Sequence, residues 1–133
     1  MKLVNQQSSK LYLVMIGISG FLAVAIGAFG AHALKGIIPP ERMVIFETGN
    51  KYHFYHTIMS LIAIYFSEFT DNRIWKWASG FFLIGIVFFS FSLYALAITG
   101  IKILGAITPF GGVCFLVGWA FILFASIQSR KVP

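Results

Sequence analysis

Four long apolar stretches, separated by short polar segments, set the pattern of this chain. Residues 11–31, LYLVMIGISGFLAVAIGAFGA, carry no charge. The second stretch covers about 50–68 and runs through TIMSLIAIYFSEF. The third covers about 76–98 and contains FFLIGIVFFSFSLYALAI. The fourth covers about 106–127 and contains GGVCFLVGWAFILFASI. A helix that crosses the hydrocarbon core needs about 20 mostly apolar residues, and each stretch supplies them. The pattern predicts an all-α fold, an integral membrane four-helix bundle forming one transmembrane domain over residues 1–133. The first stretch is longer than the roughly 7–15 apolar residues of a signal peptide, so it is expected to stay as an anchor.

The second helix is expected to extend past its span at the N-terminal end. The segment HALKGIIPP, 32–40, closes on Pro39-Pro40. A residue before proline is pushed out of the helical region, whereas proline is well suited to the first helical position. A helix starting at Pro40 and running to Phe69 would be about 45 Å long at 1.5 Å per residue. The hydrocarbon core is about 30 Å thick. The excess must protrude, tilt or break, and Gly49 is the expected weak point.

One short segment stands out from this pattern. FETGNKYHFYH, 46–56, gathers Glu47, Asn50, Lys51, His53 and His56 beside Tyr52 and Tyr55. Counting back about 20 residues from Glu68 lands near Gly49, so Glu47, Asn50 and Lys51 fall at the outer boundary. His53 and His56 then lie roughly 6–10 Å deeper. The same count on the other spans brings His32, Thr99 and Thr108 to the same end, and leaves the inner halves comparatively plain. Asn50, His53, Thr57 and Ser60 share a 3–4 spacing and form a stripe expected to face the bundle, because polar side chains in lipid need partners. His56 falls on an adjacent face with Tyr52 and Met59. Glu47 and Lys51 stand at i, i+4 in the favourable order for an ion pair.

Small residues mark the expected packing faces, since close backbone approach drives helix association in lipid. Ser19, Ala23, Gly27 and Ala31 recur at fours on the first span, and Gly111, Gly118 and Ala125 at sevens on the fourth. Gly17, Gly20, Gly27 and Gly30 do not make a phosphate loop, which requires a preceding strand.

Composition agrees with a membrane setting. The chain is 59% hydrophobic and 11% charged, against about 25% charged in soluble domains. Its formal net charge is +6, but the ten Lys and Arg are scattered, which argues against nucleic acid as a partner. With four spans, Lys2, Lys10, Arg73, Lys76, Arg130 and Lys131 share the side of the termini, and Lys35, Arg42, Lys51 and Lys102 the other. The positive-inside rule then predicts a multi-pass protein of the cell (plasma) membrane with both termini cytoplasmic. Trp75 and Trp77 beside Lys76 read as an interfacial belt on that side. Cys114 has no partner for an internal disulfide.

Candidate chemistry centres on His32, Glu47, Asn50, Lys51, His53, His56 and Thr108. Three imidazoles can bind zinc with an open fourth position, yet His32, His53 and His56 lack an HExxH spacing, and no cofactor or metal is expected. Structural hydrogen bonding between helices is the plainer reading of the cluster; an ion, proton or headgroup site is the sharper one.

Three segments carry a family resemblance: GAFGAHALKG (27–36), PERMVIFETGNKYHFYH (40–56) and FSLYALAITGIKILGAITPFGGVCFLVGW (91–119). In that order they resemble the YgdD-like family of small membrane proteins, a conserved domain of unknown function. The resemblance implies a bacterial inner-membrane, multi-span protein, and it supplies no activity. No catalytic spacing joins the acid, base and nucleophile types present. The expectation is therefore a non-enzymatic scaffold or accessory protein in contact with the lipid bilayer and with other membrane proteins or a second copy of itself. The alternative is a small transporter or channel component using the outer cluster. The segment 98–112 is expected to pack near His32 and the 46–56 helix.

Overall fold

The structure, a computed structural model, describes residues 2–128, with side chains from Gln7 onward. Arg130 and Lys131, and the side chain of Lys2, lie outside the described residues. Helix α1 (Lys2–Phe29) continues through a wider π turn, Gly30–Leu34. Helix α2 spans Pro40–Thr70. Helix α3 spans Ile74–Thr99, with a π turn at Val87–Phe91 inside it. A 3-10 turn, Lys102–Ala106, leads into α4, Thr108–Gln128. Helix α1 lies along α2, and α4 along α3, so the α2–α3 pair forms the middle of the bundle.

The helix ends follow local chemistry. Pro40 occupies the start of α2, where its missing N–H is not needed. The N–H groups of Arg42 and Met43 donate to the Pro39 carbonyl, each at 3.0 Å. Asp71 caps the other end in the left-handed region, at φ 50°. Asn72 then accepts the Ile74 N–H at 3.0 Å and opens α3. Gly100, at φ 72°, closes α3 by donating to the Leu96 carbonyl at 2.8 Å.

Three helices are long and apolar enough to cross a membrane: Gln7–Leu34, Ile74–Thr99 and Lys102–Gln128. Helix α2 has the length, 31 residues, and lower hydropathy, because it carries the charged and polar residues of 41–60, part of which form a stripe turned inward. His53, Thr57 and Ser60 of that stripe are buried and Asn50 is half-buried.

Gly49 does not break α2, which is continuous. A Cβ at Gly49 would lie 3.1 Å from the Ser90 carbonyl and 3.3 Å from the Tyr94 ring. The glycine therefore serves close approach of α2 to the π turn of α3. Gly111 does the same from α4: its Cβ would collide with the Phe89 backbone nitrogen and sit 2.8 Å from the Gly85 carbonyl. Gly118 seats the Phe82 ring, and Ala125 is fully buried, so the expected stripe of α4 is its packing face. On α1 the stripe runs through buried Ser19 and Ala23 and through Gly27, whose Cβ would lie 2.7 Å from Asn50 Oδ1; beyond it Gly30 meets Phe46, and Ala31 is exposed.

The inner half is more polar than the spacing suggested. Ser60 Oγ donates to the Ser79 carbonyl at 3.2 Å. Ser9 donates to the Glu68 carboxylate, which also pairs with Lys76 at 3.2 Å. Lys76 is only 7% exposed. Residue spacing placed its charge at a helix end but could not say that the side chain turns toward the last turn of α2. Trp75 is likewise buried, stacked on Phe66 with ring centroids 4.9 Å apart, so only Trp77, 62% exposed, has the exposure of an interfacial anchor.

Gly111→Ala is expected to lower the thermal midpoint of detergent-solubilised protein, by an overpacking cost of about 1–3 kcal/mol. Gly17→Ala, whose Cβ would meet nothing within 4 Å, is expected to leave the midpoint nearly unchanged. Tryptophan fluorescence during a thermal ramp reads both.

Candidate functional site

The polar groups of α2 are met by three helices. His53 has no exposed surface. Its Nε2 lies 3.1 Å from Ser19 Oγ on α1, and its Nδ1 lies 3.0 Å from Tyr94 OH on α3. Ser19 Oγ is also 2.7 Å from Thr57 Oγ1. Asn50 Nδ2 donates twice, to the Ala23 carbonyl at 2.9 Å and to Tyr94 OH at 3.1 Å.

One direction of donation satisfies this whole set. The Ala23 carbonyl can only accept, which fixes the Asn50 amide with its nitrogen toward Ala23 and Tyr94. Tyr94 accepts from Asn50 and donates its single O–H to His53 Nδ1. His53 Nε2–H then donates to Ser19, and Ser19 donates to Thr57. Chained hydrogen bonds in a low-dielectric interior polarise and strengthen one another. The chain ties α1, α2 and α3 at one depth.

His56 belongs to a separate, aromatic site. Its Nδ1 donates to the Tyr52 carbonyl at 2.8 Å, and its Nε2 accepts the Trp119 indole N–H at 3.3 Å. A carbonyl only accepts and an indole N–H only donates, so the ring is the neutral Nδ1–H tautomer. It stacks on Phe115 with centroids 3.5 Å apart and planes at 6°. This contact joins α4 to α2.

The remaining sequence candidates do not converge on these histidines. His32 is exposed, near the end of α1. Among the described residues no three His, Cys, Asp or Glu side chains are placed to hold a metal ion, so the trihistidine arrangement does not form. Thr108 bonds to Ser92 Oγ at 2.7 Å, on α3. The segment 98–112 meets α2 near its start, where Arg42 reaches the Ile98 carbonyl at 3.4 Å and lies against Gly100. Within the segment, Gly111 packs on the π turn of α3, against Phe89. Glu47 and Lys51 are exposed and form no ion pair; an exposed pair is worth little against solvation of each charge. Both line a small cleft of about 140 Å³ with Asn50.

Ser19, Tyr94 and Trp119 were not singled out as polar partners by sequence. Ser19 reads as a packing residue, and Tyr94 and Trp119 as membrane aromatics. The available signal was the requirement that a buried histidine be answered, with Tyr94 the one phenol in the third span.

These observations define the class: a small multi-pass membrane protein, an all-α four-helix bundle tied across its interior by buried polar side chains. The chain belongs to the DUF423 family, described as protein of unknown function, whose model matches residues 26–112. It is 40% identical over 119 residues to a UPF0382 membrane protein of Staphylococcus epidermidis, covering 90% of this chain and 97% of that one. It is 39% identical over 121 residues to a UPF0382 membrane protein of Haemophilus influenzae, covering 91% and 97%. It is 38% identical over 125 residues to the UPF0382 inner membrane protein YgdD of Escherichia coli, covering 93% and 95%. No solved structure matches the chain.

Tyr94→Phe and His53→Ala are each expected to destabilise the bundle by about 1–3 kcal/mol, since each leaves a buried partner unsatisfied. Their effects are expected to be non-additive, with a coupling of at least about 0.5 kcal/mol in a double-mutant cycle of reversible unfolding. Glu47→Gln is expected to fall within about 0.5 kcal/mol of wild type.

Proposed function

We propose that this protein is a non-enzymatic accessory protein of the cell membrane. The observation that carries the reading is the engagement of both buried histidines: each ring nitrogen of His53 and His56 has a partner within the bundle. Both rings are buried, at 0% and 5% exposure, and their nitrogens are spent on groups of neighbouring helices rather than turned toward a cleft. Their role is to fix one packing of four helices. The outer faces of α1 and α4 are largely apolar and unburied, with Phe21, Phe110, Leu116 and Ile127 among the most exposed side chains. Those faces suit lipid, other membrane proteins or a second copy of the chain. The Lys and Arg distribution favours both termini on the cytoplasmic side of the plasma membrane.

Two measurements test the reading. Purified protein in liposomes loaded with dyes that report pH, sodium or potassium is expected to pass each ion no faster than empty vesicles. Flux that disappears in His53→Ala or His56→Ala would overturn the accessory role and favour a transporter. A C-terminal alkaline phosphatase fusion is expected to be inactive and a C-terminal fluorescent fusion bright. The reverse pair would invert the orientation.

A further inference from the structure

The loop between α1 and α2 and the first turns of α2 enclose a cleft of about 620 Å³, lined by Lys35, Ile37, Ile38, Pro39, Met43 and Glu47 among others. That volume is within the range of ligand-binding clefts. The smaller cleft beside Asn50 and Lys51 shares Met43 and Glu47 as a common wall. The walls are set in advance. Gly36 takes φ 86°, and the N–H groups of Ile37 and Ile38 both donate to the Leu34 carbonyl, at 3.0 and 3.3 Å. Pro39 and Pro40 fix the following turn. A cleft so held needs little ordering when something enters it.

Its charges alternate around the rim. Lys35, Glu47 and Lys51 are exposed, and among the described residues none forms an ion pair. Glu47 and Lys51 stand one turn apart and could have neutralised each other. Instead Glu47 lines both clefts, with Lys35 in the larger and Lys51 in the smaller, so one carboxylate is shared by two sites that each carry an ammonium group. The position is the end of the bundle where α1 closes and α2 begins, and Ile37 there is 77% exposed. Polar rim, apolar floor and membrane-boundary position together describe the environment of a lipid headgroup.

We propose that the joined clefts bind a phospholipid whose headgroup is a zwitterion with a primary amine, of the ethanolamine type. The phosphate lies between Lys35 and Lys51. The ammonium donates to the Glu47 carboxylate, and the upper acyl segment lies on Ile37, Ile38 and Met43. Glu47 gives the selectivity. A primary ammonium offers it three N–H donors, a quaternary ammonium offers none, and an anionic glycerol headgroup brings no cation. The proposal does not rest on the accessory role, and the liposome flux assay and the test below fail separately.

The test is native mass spectrometry of the full chain in detergent with equal amounts of phosphatidylethanolamine, phosphatidylcholine and phosphatidylglycerol of matched acyl chains. Wild type is expected to retain the ethanolamine lipid roughly fivefold over either competitor, the ratio expected of one added charge-assisted hydrogen bond. Glu47→Gln is expected to erase that preference while lipid is still retained. The Lys35→Gln, Lys51→Gln double variant is expected to lower retention of all three lipids. Circular dichroism and thermal midpoints like those of wild type are expected for these exposed-site variants. Equal retention of the three lipids by wild type would overturn the proposal, as would a preference that survives Glu47→Gln. Displacement of the lipid by millimolar soluble phosphoethanolamine would overturn it in favour of a free phosphate ester.

Discussion

The hydrogen bonds of His53 are the contact on which the outer half of the bundle depends. A ring with two nitrogens and no exposed surface must find a partner for each. Ser19 and Tyr94 supply them from two different helices. In lipid there is little hydrophobic drive between apolar helix faces, so a directional contact of this kind decides which faces meet and at what height. Asn50 adds its two donations to the same level, one of them to the Ala23 backbone. The cost of leaving any member unanswered is what gives the arrangement its specificity.

That network needs the helices to be close, and the close approaches are made by glycines against π turns. The π turn at Val87–Phe91 lies between Gly49 of α2 and Gly111 of α4. A π turn widens the helix and displaces its carbonyls from the regular ladder. Ser92 takes up the Phe89 carbonyl at 2.9 Å and also reaches Thr108. The same turn sets the phase of Tyr94, which lies three residues beyond its end. Packing and polar pairing in this bundle are therefore one arrangement: a side chain at Gly49 or Gly111 would move the helix that carries Tyr94.

The aromatic site around His56 and the ion pair at the other end extend the same logic. Stacking on Phe115 and the bond from Trp119 attach α4 to α2, beside its longer contact with α3. At the opposite end Glu68 and Lys76 join the last turn of α2 to the first turn of α3. Polar contacts thus pin the bundle at three levels, while the outer faces of α1 and α4 stay apolar. Three of the exposed charges, Lys35, Glu47 and Lys51, gather at one end of the bundle, where water and headgroups can solvate them.

Much of this was legible in the chain. Length and apolar content show four helices, three of them apolar enough to cross a membrane, because backbone in hydrocarbon must satisfy itself within each span. Pro39-Pro40 fixes the start of α2, and the 3–4 spacing of Asn50, His53, Thr57 and Ser60 fixes which face turns inward. The small residues at Gly111, Gly118 and Ala125 identify the packing face of α4. Partners were not legible, because periodicity orients a side chain about its own helix and says nothing of the helix opposite. Tertiary structure alone decided that His53 meets Ser19 and Tyr94, that His56 joins the aromatic group instead, and that His32 joins neither. It also turned Gly49 from an expected break into a contact, and Lys76 from an interfacial charge into a buried one. In each case the deciding quantity was the distance to a neighbouring helix, which only packing sets.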